Sequence, residues 1–378
     1  MKKPIVLLTL LVFILGFTSL GLSAAEEILI GGNYELSGSV ALYGQACHNS
    51  AKLAIDEVNA AGGVLGRKVR LVSVDNKSEA EEAAKMATKL ITQDKVVLVL
   101  GPVISTDCLA AAPVCQEKGV PMITPTGTNP AITKVGNYIF RTCFIDDFQG
   151  TVMANFALRN LKAKTAAILF DNQSDYAKGL QKYFKETFIK GGGKIVAEEA
   201  FMPDDKDFRA ILNRIRLKKP DVIYVPCYYQ AAGLIAKQAR EMKMNQPLLG
   251  SDGWDQPEEL PKIAGKAALN KVFFSNHFSP ETKDPMVVKF IKDYKDRYGV
   301  APDALAALGY DAAKLAIDAI ARAKSTEPAK IREALATTKG FKGVTGFITI
   351  DENRNPTKSA VVIEYVNGVQ KYRATVNP

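Results

Sequence analysis

Val96-Val97-Leu98-Val99-Leu100-Gly101-Pro102-Val103-Ile104-Ser105-Thr106 and, a helix-length later, Val120-Pro121-Met122-Ile123-Thr124-Pro125-Thr126-Gly127-Thr128 share one design: an apolar run passing directly into a hydroxyl-rich turn. Short apolar runs rich in β-branched residues predict buried strands, here over residues 96–101 and 120–124. Strands of a parallel sheet covered on both faces have this continuous apolar character. On adjacent parallel strands, the turns at Ser105-Thr106 and Thr126-Gly127-Thr128 open together at the carboxyl edge of the sheet. Open α/β sheets bind ligands at that edge, and helix amino termini there favour anions. The pattern predicts a small anionic or zwitterionic ligand.

The same alternation extends in both directions. Further strands are expected over residues 28–34, 69–75, 166–171, 195–201, 221–225, 248–251 and 272–278. Helices are expected over 44–61, where Ala51, Ala54, Ile55 and Val58 share a face, and over 78–93, with Ser78 as its cap. Repeated β-α-β units imply parallel sheets with helices on both faces. The pattern resets near 143–149, before a helix over 151–161 and a second strand series. Three helices follow, over 285–298, 302–323 and 328–336, and then strands over 346–351 and 360–366 that read as an antiparallel pair around Asn353-Arg354-Asn355-Pro356. The arrangement expected is two Rossmann-like α/β lobes with chain crossings near 144–148, 276–280 and 352–357. One lobe takes residues 26–146 and 278–354, the other 147–277 and 355–378.

Residues 1–25 have lysines at positions 2 and 3, an apolar run from Ile5 to Leu15 and the sequence Ser23-Ala24-Ala25, the pattern of a cleaved export leader. Its removal takes two lysines from a formal charge of +9, leaving +7. The remaining basic residues are scattered among acidic ones, with only short pairs such as Arg67-Lys68, which argues against a nucleic-acid surface. Length suggests two domains, and a 47% hydrophobic composition supplies two cores.

Five cysteines, Cys47, Cys108, Cys115, Cys143 and Cys227, match no zinc spacing and leave at least one unpaired in a monomer. Cys108 and Cys115 are two helical turns apart, roughly 10 Å, too far for a disulfide. A long-range pair such as Cys108 with Cys143 stays open, although buried free thiols are the expected state of most. Enzyme classes find little support. Gly250-Ser251-Asp252-Gly253 is not a G-x-S-x-G elbow, the two histidines His48 and His277 lie in unrelated contexts, with His277 close to an expected crossing and read as structural, and no G-x-G-x-x-G follows the first strand.

Tyr43-Gly44-Gln45 followed by Ala54-Ile55-Asp56-Glu57-Val58-Asn59-Ala60-Ala61-Gly62-Gly63-Val64-Leu65-Gly66 resembles the first helix of branched-chain amino-acid binding proteins of ABC importers. The resemblance continues through Asp75-Asn76, Pro121-Met122-Ile123-Thr124-Pro125, Asp147-Phe148-Gln149-Gly150, Tyr176 and Asp207-Phe208, and covers residues 26–378. It implies the type I periplasmic binding protein fold, a two-lobed flytrap with three hinge crossings. It also implies a periplasmic monomer without cofactor or metal, whose partners are an α-amino acid and a membrane permease.

Residue by residue, the resemblance places the ligand carboxylate on Ser105 and Thr128 and its ammonium on the carbonyl of Thr126. Tyr176 and Tyr228 cover the ligand from the second lobe. An acidic side chain there completes the ammonium site. That position is Asp252, where similar receptors commonly have glutamate, one methylene longer. Tyr43, Val103, Ile104, Trp254 and Leu305 are expected around the ligand side chain, and their apolar character favours an aliphatic or aromatic amino acid. The shorter acid keeps a second ligand class open within the same fold: an amide, γ-aminobutyrate, urea or an aromatic acid.

Overall fold

The computed structural model describes residues 26–279 and 281–377, so the expected leader lies outside the described residues. Its strands are β1 (Ile28–Tyr34), β2 (Val69–Asp75), β3 (Leu98–Leu100), β4 (Met122–Thr124), β5 (Ile139–Arg141), β6 (Thr165–Asp171), β7 (Lys194–Phe201), β8 (Val222–Tyr224), β9 (Leu248–Gly250), β10 (Val272–Asn276), β11 (Phe341–Gly343), β12 (Gly346–Ile348), β13 (Ala360–Val366) and β14 (Val369–Val376). The first sheet has the order β2-β1-β3-β4-β5 and is wholly parallel. The second has the order β14-β13-β10-β9-β8-β6-β7, parallel from β7 to β10, with β13 and β14 added antiparallel at one edge. Each is a doubly wound α/β sheet, and the expectation of two such lobes holds.

Buried Ile, Leu and Val side chains line both faces of the central strands, as in Leu98, Val99 and Leu100 of β3. This two-sided burial is why those strands read as unbroken apolar runs rather than alternating ones. The helix Ala41–Ala60 packs on Ala304–Ala323, which returns late in the chain to cover the first sheet. A Cβ at Gly309 would stand 2.5 Å from Ser50 Oγ and 2.7 Å from Cys47 Cα, so this contact requires glycine.

Several expectations need correction. Strand β5 was not foreseen: it is three residues long and ends in an arginine, although Arg141 is fully buried and donates from Nη1 to Gly127 O (2.6 Å) and from Nη2 to Asn129 O (2.8 Å). The expected pair 346–351 with 360–366 does not form. β12 pairs with β11, and β13 pairs with β10 and β14, because β13 finds a longer apolar edge to complete than the local turn offers. Ser78 does not cap the second helix, Ala80–Thr92. It has a left-handed backbone (φ 61°), and its hydroxyl donates to Ser37 O (2.8 Å). The helix expected from 151 starts at Asp146.

All five cysteines are free and buried, so the Cys108–Cys143 pair is absent. Cys108 Sγ donates to Pro102 O (3.1 Å), whereas Cys143 Sγ donates to Gly127 O (3.4 Å). Among the described residues no helix is long and apolar enough to cross a membrane.

Candidate ligand site between the lobes

The carboxyl ends of both sheets face one cleft. From the first sheet, β3 runs into Gly101–Ile104 and the helix Ser105–Lys118, and β4 into the turn that carries Thr126 and Thr128. Glu35, immediately after β1, binds the first of these loops from beneath: its carboxylate accepts from Val103 N (3.0 Å) and Ile104 N (3.1 Å). Thr126 Oγ1 donates to Val103 O (2.7 Å), and Thr124 Oγ1 donates to Pro102 O (2.7 Å) while accepting from Gly127 N (2.8 Å). Ser105 Oγ accepts from Asn129 N (3.2 Å). These bonds join the two hydroxyl-rich turns into one rigid wall, with the positive end of a 14-residue helix at Ser105.

The second sheet supplies the facing wall. Tyr176 stands in the first turn of the helix Asp175–Lys190, whose cap Ser174 accepts from Ala177 N (3.2 Å). Its ring stacks on Tyr228 at 5.1 Å and 11°. Asp252 follows β9, and its Oδ1 lies 2.6 Å from the Tyr176 hydroxyl and 3.1 Å from Gly253 N. Gln149 Oε1 accepts from Asp252 N (2.9 Å) and from Ser275 Oγ (2.7 Å), tying that turn to β10. His277 Nε2 is 2.9 Å from Asp252 Oδ2.

Between the walls lies a small cavity. It is bordered by Tyr43, Val103, Ile104, Ser105, Thr126, Tyr176, Tyr228, Asp252 and Leu305, all foreseen from the sequence, and by Gly253, which was not. Two foreseen residues stand elsewhere. Thr128 is buried behind this lining; its carbonyl accepts from Asp146 N (3.1 Å), and its hydroxyl has no partner. Trp254 is a correction: it is fully buried in the second lobe, with Nε1 donating to Val225 O (3.0 Å), because the short helix Asp252–Trp254 turns the indole under the sheet. Glu35 also escaped the sequence reading, which met Gln149 only as part of the family pattern and took His277 as structural. Two of these directly follow a strand, and polar residues at such positions are the signal that was available.

The lobes touch across the cleft. The Tyr43 hydroxyl, from the first lobe, donates to Gly253 O and accepts from Tyr229 N (3.1 Å) of the second. Asn129 Nδ2 donates to Asp175 O (2.8 Å), and Gln230 Nε2 donates to Ser39 O. The structure is therefore a closed form.

Burial holds the phenols of Tyr43, Tyr176 and Tyr228 well above their ordinary range, so they stay protonated donors. Burial also raises the carboxyls of Glu35 and Asp107, and their mutual repulsion adds to the rise at Asp107. The pair retains a proton at neutral pH. The wall beneath Val103 and Ile104 consequently carries less negative charge than its two acids suggest. Among the described residues no group of three or more His, Cys, Asp or Glu side chains is arranged to hold a metal.

Residues 27–370 match the family model described as periplasmic binding protein. The chain is 35% identical over 339 residues to the Leu/Ile/Val-binding protein BraC3 of Rhizobium johnstonii, covering 89% of this chain and 91% of that protein. Among solved structures it is similar to the branched-chain amino acid transporter substrate binding protein LivJ of Streptococcus pneumoniae in complex with isoleucine. That match has 40% identity and a TM-score of 0.88, covering 93% of this chain and 100% of the other. The leucine binding protein LivK of Thermotoga maritima is similar at 38% identity and TM-score 0.88, covering 93% and 99%. On this match of sequence, fold and cleft, the chain belongs to the periplasmic binding protein family.

Proposed function

We propose that this protein is the extracytoplasmic receptor of an ABC importer, which captures an apolar α-amino acid between its lobes and delivers it to the permease. The observation that carries this reading is the opposition, across one small apolar pocket, of a helix amino terminus bearing Ser105 and the carboxylate of Asp252. An α-amino acid presents opposite charges on one carbon and needs this pairing of donors and acceptors. Its carboxylate binds the hydroxyl and backbone N–H of Ser105, at the end where the family resemblance also puts Thr128. The ammonium binds Asp252 and the Thr126 carbonyl. Tyr43, Val103, Ile104 and Leu305 surround the side chain, with the Tyr176 and Tyr228 rings above it.

A dissociation constant near 1 μM needs only about 8 kcal/mol, which two charged ends and one apolar side chain can supply. An apolar pocket separates ligands differing by one methylene by roughly 1–3 kcal/mol, so several related amino acids bind. The protein acts without catalysis, as a periplasmic monomer released from its leader near Ala25. Closure pivots on crossings near 144–148, 276–280 and 352–357, and the closed form presents both lobes to the permease.

The test is calorimetric titration of leaderless protein that has been unfolded and refolded to strip co-purified ligand. Leucine, isoleucine, valine, alanine, methionine and phenylalanine are compared with γ-aminobutyrate, acetamide, urea and benzoate. Micromolar or tighter binding confined to apolar α-amino acids supports the reading. Binding only to one of the other four compounds overturns it and selects the second ligand class.

A further inference from the structure

We propose that His277 is a positioning residue that aims Asp252 at the ligand ammonium and ties that contact to the hinge; this rests on the amino-acid reading above. A carboxylate offers about four lone-pair sites. On Asp252, Oδ1 is already occupied by the Tyr176 hydroxyl (2.6 Å) and Gly253 N–H (3.1 Å). Oδ2 has one partner, His277 Nε2, at 2.9 Å. The remaining site for an ammonium is therefore on Oδ2, the atom that the imidazole holds.

The ring itself is firmly placed. It is buried and stacks on Phe144 with centroids 3.6 Å apart and planes 23° from parallel. His277 directly follows β10, and Phe144 lies just before the helix Asp146–Arg159, so two chain crossings meet at this stack. Burial lowers the affinity of the imidazole for a second proton. The neutral ring must carry its single N–H on Nε2, because the carboxylate only accepts. Nδ1 is buried with no partner, consistent with that tautomer. The arrangement also accounts for an aspartate at this position: Tyr176 and His277 grip both oxygens of the short acid, and a longer acid would drive its carboxylate into them.

The two amides His277→Gln and His277→Asn test the proposal, because glutamine can place its N–H near Nε2 whereas asparagine reaches only the Nδ1 position. Each variant is titrated with leucine and with 4-methylpentanoate, which is leucine without its ammonium, and thermal unfolding verifies that both are folded. His277→Asn is expected to lose about tenfold or more of leucine affinity, the worth of a hydrogen bond to a charged group, while 4-methylpentanoate affinity is unchanged. His277→Gln is expected to stay within about threefold of wild type for both ligands. Equal behaviour of the two amides toward leucine would leave His277 a packing residue and overturn the proposal. Wild-type protein that binds both ligands equally would overturn the ammonium reading itself, and the proposal with it.

Discussion

Tyr43→Phe removes one oxygen atom and, with it, two bonds that exist only when the lobes are closed. The Tyr43 hydroxyl stands on the helix Ala41–Ala60 of the first lobe, but both of its partners, Gly253 O and Tyr229 N, belong to the second. Phenylalanine keeps the ring in its edge-on contacts with Tyr228 (5.7 Å) and Tyr229 (5.4 Å), so packing changes little. A net hydrogen bond contributes about 0.5–1.5 kcal/mol, giving about 1–3 kcal/mol for the two. In the open form water satisfies the same groups, so the whole loss falls on closure and hence on ligand affinity. At 1.4 kcal/mol per tenfold, leucine should bind about 5- to 150-fold more weakly. Calorimetry measures that loss, and the unfolding midpoint of ligand-free protein should stay within about two degrees of wild type, since the open lobes lose no bond. Unchanged leucine affinity would refute the claim that these bonds form on binding. An equal loss of ligand-free stability would mean that the lobes are closed without ligand.

Asp252→Ala should weaken α-amino-acid binding by about 2–5 kcal/mol in calorimetric titration, because it leaves an ammonium unpaired in a desolvated cleft; an unchanged affinity would remove Asp252 from the site. Asp107 has its carboxyl pushed up to about 9 by burial and the neighbouring Glu35, so the folded state binds more protons than the unfolded chain above the ordinary carboxylate range. Stability from this group is full below about pH 4 and is lost as pH rises through 9; Asp107→Asn should flatten that decline in urea unfolding followed from pH 5 to 9. An identical pH slope in wild type and variant would contradict the assignment. The five buried cysteines should resist a thiol reagent in the native protein and all react after unfolding; two or more that stay unreactive in non-reducing denaturant would reveal a disulfide.

The parts of this fold legible in the sequence are those whose signal is local. A long strand buried on both faces, such as Ile28–Tyr34, announces itself through composition, and the hydroxyl-rich turns after β3 and β4 follow from where those strands end. Pairing at a distance is not written locally. β13 lies beside β10 and β14 rather than beside its apparent neighbour near residue 348, and β5 has only three residues to register. The same division holds at the site. The lining residues were found because each sits at a strand end or matches the family pattern. His277 was read as structural only, because its partner Asp252 lies 25 residues away on a different turn. Trp254 was misplaced because two residues of helical turn decide whether an indole enters the cleft or the core. Glu35 reads as an exposed acid after a strand, and only the folded loop shows its carboxylate holding Val103 and Ile104.

The central claim is that an α-amino acid lies between the lobes with its two charged ends on opposite walls. A crystal structure of ligand-stripped protein reloaded with leucine tests it most directly. The account predicts a carboxylate within hydrogen-bond distance of Ser105 Oγ and an ammonium on Asp252 Oδ2, with the aliphatic side chain against Tyr43, Ile104 and Leu305. Leucine seated with its ammonium away from Asp252, or bound outside the cleft, would contradict it.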